Sequence, residues 1–101
     1  MPNSEQLFIL IAPKELKDDI VDILISLDAL TGFNLKAING YSKEHSSFNI
    51  TEQVEGYRAL VQFEVLLKVV DKATLMNALK PICHPAKLKY WFLPVIESGH
   101  L

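Results

Sequence analysis

Tyr57-Arg-Ala-Leu-Val-Gln-Phe-Glu-Val-Leu-Leu-Lys68 is the stretch whose reading decides the fold of this chain. If it is extended, Tyr57, Ala59, Val61, Phe63, Val65 and Leu67 share one face, because successive side chains of a strand point to opposite sides. The other face carries Arg58, Leu60, Gln62, Glu64, Leu66 and Lys68, a mixture too apolar for full solvation. The stretch therefore predicts a central strand with something against both faces.

Working toward the N-terminus, Phe33-Asn-Leu-Lys-Ala-Ile-Asn-Gly40 alternates more weakly and predicts a second strand. Residues 41–56 separate the two strands and carry Ser, Asn, Glu, Lys and His but few aliphatics. Loops of that length inside a small domain commonly carry function. Further back, Leu16, Ile20, Ile23, Leu24 and Leu27 recur at helical spacing, with Lys14, Lys17, Asp18, Asp22 and Ser26 on the outer face. Pro13 suits the first turn of that helix, Glu15, Asp18 and Asp19 suit the positive end of its dipole, and Gly32 is the expected stop. Gln6-Leu-Phe-Ile-Leu-Ile-Ala12 is a continuous apolar run of strand length, the pattern of a strand buried on both faces.

Toward the C-terminus, Asp71 is placed to cap a helix with Leu75, Ala78, Leu79 and Ile82 on its inner stripe. Pro81 disfavours helical geometry at Lys80, so the regular part is predicted to end there. A connector, Ile82-Cys-His-Pro-Ala86, leads to a last strand, Lys87-Leu-Lys-Tyr-Trp-Phe-Leu-Pro-Val-Ile96. Pro94 lacks an N–H, which makes this segment an edge strand or ends its pairing. The order βαββαβ predicts an α+β, ferredoxin-like domain over residues 1–101, a four-stranded antiparallel sheet with two helices on one face. Leu60, Leu66, Trp91 and Leu93 would then leave apolar surface on the uncovered face, and such surface marks an interface between copies of the chain.

Composition narrows the function classes. With 101 residues, a formal charge of −2 and a sequence pI of about 5.9, the chain lacks the basic footprint of a nucleic-acid or anionic-lipid binder. No apolar run reaches the roughly 18 residues of a membrane span, so no membrane insertion is expected. The single cysteine, Cys83, excludes an internal disulfide framework and, with no recognisable leader, points to a cytoplasmic location.

Together, the element order, Leu35-Lys-Ala-Ile-Asn-Gly-Tyr-Ser-Lys43 opening a long loop, and the closing Tyr90-Trp-Phe-Leu-Pro-Val-Ile-Glu97 resemble the PII-like signalling proteins. The closer resemblance is to small proteobacterial PII-like proteins encoded beside heavy-metal efflux pumps. It implies a homotrimeric regulatory module, not an enzyme, with a small-molecule or metal ligand and a regulatory partner such as a metal-efflux pump. It also implies that Gly40, Tyr41, Ser42 and Lys43 at the loop's start, with Lys87 and Lys89 beyond the second helix, bind ligand. Nucleotide-binding PII proteins hold phosphates with a glycine-rich turn at that second place; here Ile82-Cys-His-Pro-Ala-Lys87 contains no glycine. The cofactor is therefore left unassigned.

Metal chemistry is the competing reading. His45, Cys83 and His84 are ligand types suited to zinc or copper, and a metal-binding module resembling the CutA proteins would use the same scaffold. Their spacing matches no established ligand interval, so symmetry-related copies would have to complete a site. His45 followed by Ser46 and Ser47 supplies no orienting group or oxyanion site and makes no case for catalysis.

Overall fold

The computed structural model describes residues 4–41 and 58–101. Its elements are β1 (Glu5–Pro13), a 3-10 turn (Lys14–Leu16), α1 (Lys17–Ser26), β2 (Asn34–Gly40), β3 (Arg58–Lys68), a 3-10 turn (Val69–Asp71), α2 (Lys72–Cys83) and β4 (Tyr90–Val95). The four strands form one antiparallel sheet in the order β2-β3-β1-β4. This is the ferredoxin-like arrangement predicted from the alternation, with the two most apolar strands at the centre.

Register explains which face each side chain takes. Phe8 lies opposite Val65, Leu10 opposite Phe63 and Ala12 opposite Val61 across the central pair. All six are buried, and they pack with Ile20 and Leu24 of α1 and Leu75 and Leu79 of α2 in one core cluster. Both helices therefore cover the same face. The opposite face is left without a helix, and β4 continues the split. Phe92 lies beside Phe8 on the helix side with ring centroids 5.0 Å apart, while Trp91 beside Ile9 belongs to the open side. Lys72 Nζ caps the Phe92 ring at 4.6 Å, a cation–π contact worth roughly 0.5–1 kcal/mol at an exposed site. β4 is an edge strand, so Pro94 forfeits no bond to an outer neighbour. Beyond β4 the Ser98 hydroxyl donates to the Glu5 carboxylate and ties the tail to β1.

Several boundaries differ from the sequence reading. Pro13 closes β1 with extended backbone (φ −67°, ψ 153°) and precedes the helical turn instead of lying within it. α1 stops at Ser26, short of Gly32, because Leu27 turns extended (φ −88°, ψ 107°) and Leu30 folds back against the core. Gly32 is thus no helix stop. Asp71 occupies the position before α2, yet its side chain makes no cap hydrogen bond. Its backbone is already helical in the preceding 3-10 turn, which takes the carboxylate out of capping geometry.

Pro81 does not end α2. The helix runs on to Cys83, and the His84 N–H donates to the Lys80 carbonyl at 3.0 Å. A proline inside a helix forfeits one backbone bond, but Leu79, Ile82 and Cys83 are packed on the core and hold the last turn in place. The local preference is outweighed by burial.

Candidate functional site

The end of α2 builds the most distinctive local structure in the protein. The Lys87 N–H donates to the His84 carbonyl at 3.0 Å and the Leu88 N–H to the Cys83 carbonyl at 3.3 Å, the paired bonds of a Schellman turn. The residue at the left-handed position is Lys87, with φ 54°, where glycine is the usual occupant. A side chain there costs about 1–2 kcal/mol relative to ordinary helical backbone. Cys83, Ile82 and Leu88 meet the core around the turn, the apolar contact that accompanies this motif. Lys87→Gly is accordingly expected to raise unfolding stability by about 1 kcal/mol in urea titration. Unchanged or lowered stability would mean that the lysine side chain contributes contacts of its own.

Under this turn lies a cavity of about 450 Å³ between α2 and β4. Its floor includes Phe8, Leu10 and Leu79, which are core residues, and Tyr90, half of whose surface is exposed. Lys80 and Lys87 line its mouth, with Cys83 and His84 between them in sequence. Burial pushes the Cys83 thiol above its ordinary value, so the protonated thiol is favoured.

The expected ligand residues are divided by this geometry. Lys87 and the pair Cys83 and His84 line the cavity. Lys89 does not: its carbonyl accepts from the Ile11 N–H at 3.0 Å, extending the β1–β4 ladder, and strand alternation puts it on the side of Trp91. Gly40 and Tyr41 lie at the end of β2, on the opposite edge of the sheet from β4 but at the same end of it, since Gly40 pairs with Arg58 and Leu10 with Tyr90. A Cβ added at Gly40 would meet the end of the Leu60 side chain, which would have to shift to admit it. Ser42, Lys43 and His45 lie outside the described residues. Among the described residues, no group of three or more His, Cys, Asp or Glu side chains is arranged to hold a metal ion.

Lys80, which the sequence offers with Lys87 and Lys89 as a point charge for a phosphate, does line the cavity, whereas Tyr90 and Leu10 were missed as its walls. The cavity itself had no signal in the sequence, because it depends on how far α2 stands from β4.

Comparisons with known proteins agree with this fold. The chain matches, over residues 3–101, the family described as a protein of unknown function, DUF3240. A crystal structure of a DUF3240 family protein from Shewanella baltica OS155 is similar, with 39% identity, a TM-score of 0.81 and coverage of 100% of this chain and 99% of that one. CPII, a nitrogen regulatory PII-like protein from Thiomonas intermedia K12 bound to ADP, AMP and bicarbonate, shares the fold at 13% identity, with a TM-score of 0.69 over 97% of this chain and 96% of that one. Arabidopsis thaliana PII bound to citrate does so at 14% identity, with a TM-score of 0.67 over 90% of this chain and 74% of that one. No curated protein matches. With a matched profile spanning nearly the whole sequence and a solved relative of this identity, the chain belongs to the DUF3240 family, on a fold shared with the PII-like proteins.

Proposed function

We propose that this chain is a single-domain, homotrimeric regulatory module of the PII-like kind that binds a small ligand between subunits and is not an enzyme. The observation that carries the proposal is the open face of the sheet. Leu66, Trp91 and Leu93 are exposed there, at 38%, 43% and 46%, beside Leu7 and Ile9. Apolar surface of this kind on a small domain is the mark of an interface. In a closed ring, one subunit's β2 edge would approach another's β4 edge, bringing Gly40, Tyr41, Ser42 and Lys43 toward the turn that carries Lys87 and the Lys89 side chain. That cleft is the proposed ligand site. Support for a regulatory role comes from the fold shared with CPII and PII. A heavy-metal efflux pump is the proposed partner, and its support is the sequence resemblance described above.

Native mass spectrometry of the protein alone and with ADP, ATP, zinc or copper tests the proposal, since subunit number and ligand mass are read together. The expected result is a trimer, and uptake of one nucleotide per cleft would identify the small ligand as a nucleotide despite the glycine-free turn. A trimer that ignores nucleotides and binds zinc or copper at whole stoichiometry would replace this reading with the CutA-like metal module, with Cys83, His84 and His45 as ligands. A monomer would overturn both.

A further inference from the structure

The cavity under the Schellman turn points to a second kind of binding, inside one subunit, although Lys87 also faces the proposed intersubunit cleft. We infer that it takes an amphipathic monoanion, an alkyl or aryl chain ending in a carboxylate, with the chain on Phe8, Leu10, Leu79 and Tyr90 and the carboxylate at Lys80 and Lys87.

Three observations carry this. The first is the floor: Phe8, Leu10 and Leu79 keep only 1%, 1% and 3% of their surface accessible, yet they line a space of about 450 Å³, within the size range of small-molecule sites. Over that packed floor, half-exposed Tyr90 and partly exposed Met76 and Leu88 are the apolar surface that an apolar guest would take out of water. The second is the charge at the mouth. Lys80 and Lys87 are both there, and among the described residues lining the cavity none is Asp or Glu. A cationic guest finds no counter-charge, a neutral one leaves two ammonium groups unused, and an anion meets both. The third is Lys87 itself, held by two backbone hydrogen bonds in a conformation that favours glycine. Backbone strain retained at a non-glycine residue clusters at ligand sites, and here the retained side chain is a cation at the cavity mouth.

Met76 also lines the cavity and, with Met1, is one of two methionines in the chain, so ¹³C-methyl methionine labelling gives a reporter with minimal overlap. A Met76→Leu variant assigns its signal. Hexanoate, octanoate and decanoate are titrated against the intact protein, with octanol and octylamine as head-group controls. The expected result is a saturable Met76 shift with the carboxylates, tightening by up to about fourfold per added methylene until the cavity is full. Lys80→Gln combined with Lys87→Gln should weaken octanoate roughly tenfold, as two solvent-facing ion pairs allow, and leave octanol unchanged. Both substitutions are at exposed positions, so the fold is retained. No saturable shift, or equal shifts by octanol and octanoate that ignore the lysines, would overturn the inference. The trimer proposal is read from subunit number and stands or falls separately.

Discussion

Phe63→Ala is expected to remove about 4 kcal/mol of unfolding stability, within the range for truncating a buried phenylalanine. Phe63 has no accessible surface and sits in β3 between Leu10 of β1 and Leu35 of β2, so its ring is the junction of three strands. The Phe33 ring lies 6.3 Å from it between centroids and closes the edge of the core toward β2. Removing the ring strips contacts from both helices' shared floor at once, and the backbone hydrogen bonds of a central strand leave little freedom for neighbours to collapse inward. A small domain with a total stability of about 5–15 kcal/mol would remain folded but close to its limit. Urea unfolding monitored by circular dichroism, at one fixed protein concentration because assembly adds to apparent stability, reads the loss directly. A loss below about 1.5 kcal/mol would mean that the core closes over the gap, contrary to the cost of partly relaxed cavities.

The same residue shows how much of the structure was legible beforehand. Alternation in a strand assigns Phe63 to the buried face without knowledge of its partners, and the apolar run of β1 identifies the neighbour that must lie beside it. Those two signals fix the sheet order, because the most apolar strands must be central. The helix ends were less legible. Pro81 and Gly32 are strong local signals, but Ile82 and Cys83, partly buried against the core, carried α2 past the proline, and Leu30 drew the chain out of α1 before the glycine was reached. The site was least legible. Lys87 was singled out through a family resemblance, whereas its left-handed backbone arises from a turn that no local glycine announces. Lys89, two residues further on, was paired with it in the sequence reading, but Lys87 belongs to the left-handed turn whereas Lys89 already follows the strand on the side of Trp91. Lys80 and Lys87 are brought to one cavity by the turn that closes α2, which their spacing in the sequence does not reveal.

Leu93→Asp is expected to convert the proposed trimer to monomers, weakening association at least about a hundredfold while leaving the subunit folded. Leu93 lies opposite Leu7 of β1, which in turn lies opposite Leu66 of β3, so the three form an apolar row across β4, β1 and β3 on the helix-free face. Trp91 and Ile9 form the adjacent row, with Ile9 already buried at 3% within one chain. A carboxylate in the middle of such a surface is solvated in the monomer, since 46% of Leu93 is exposed, so the fold loses little. In a closed assembly it would be taken out of water without a partner, and an unpaired buried charge costs about 3–5 kcal/mol, which is the source of the expected hundredfold. Symmetry repeats the penalty in every subunit. Ile25→Asp is the matched control, placed on α1 at 69% exposure and on the other side of the molecule. Sedimentation velocity of the two variants separates the outcomes. Dissociation by Leu93→Asp with Ile25→Asp unaffected places the interface on the open sheet; the reverse would place it on the helices, and the proposed cleft between the β2 and β4 edges would have to be abandoned.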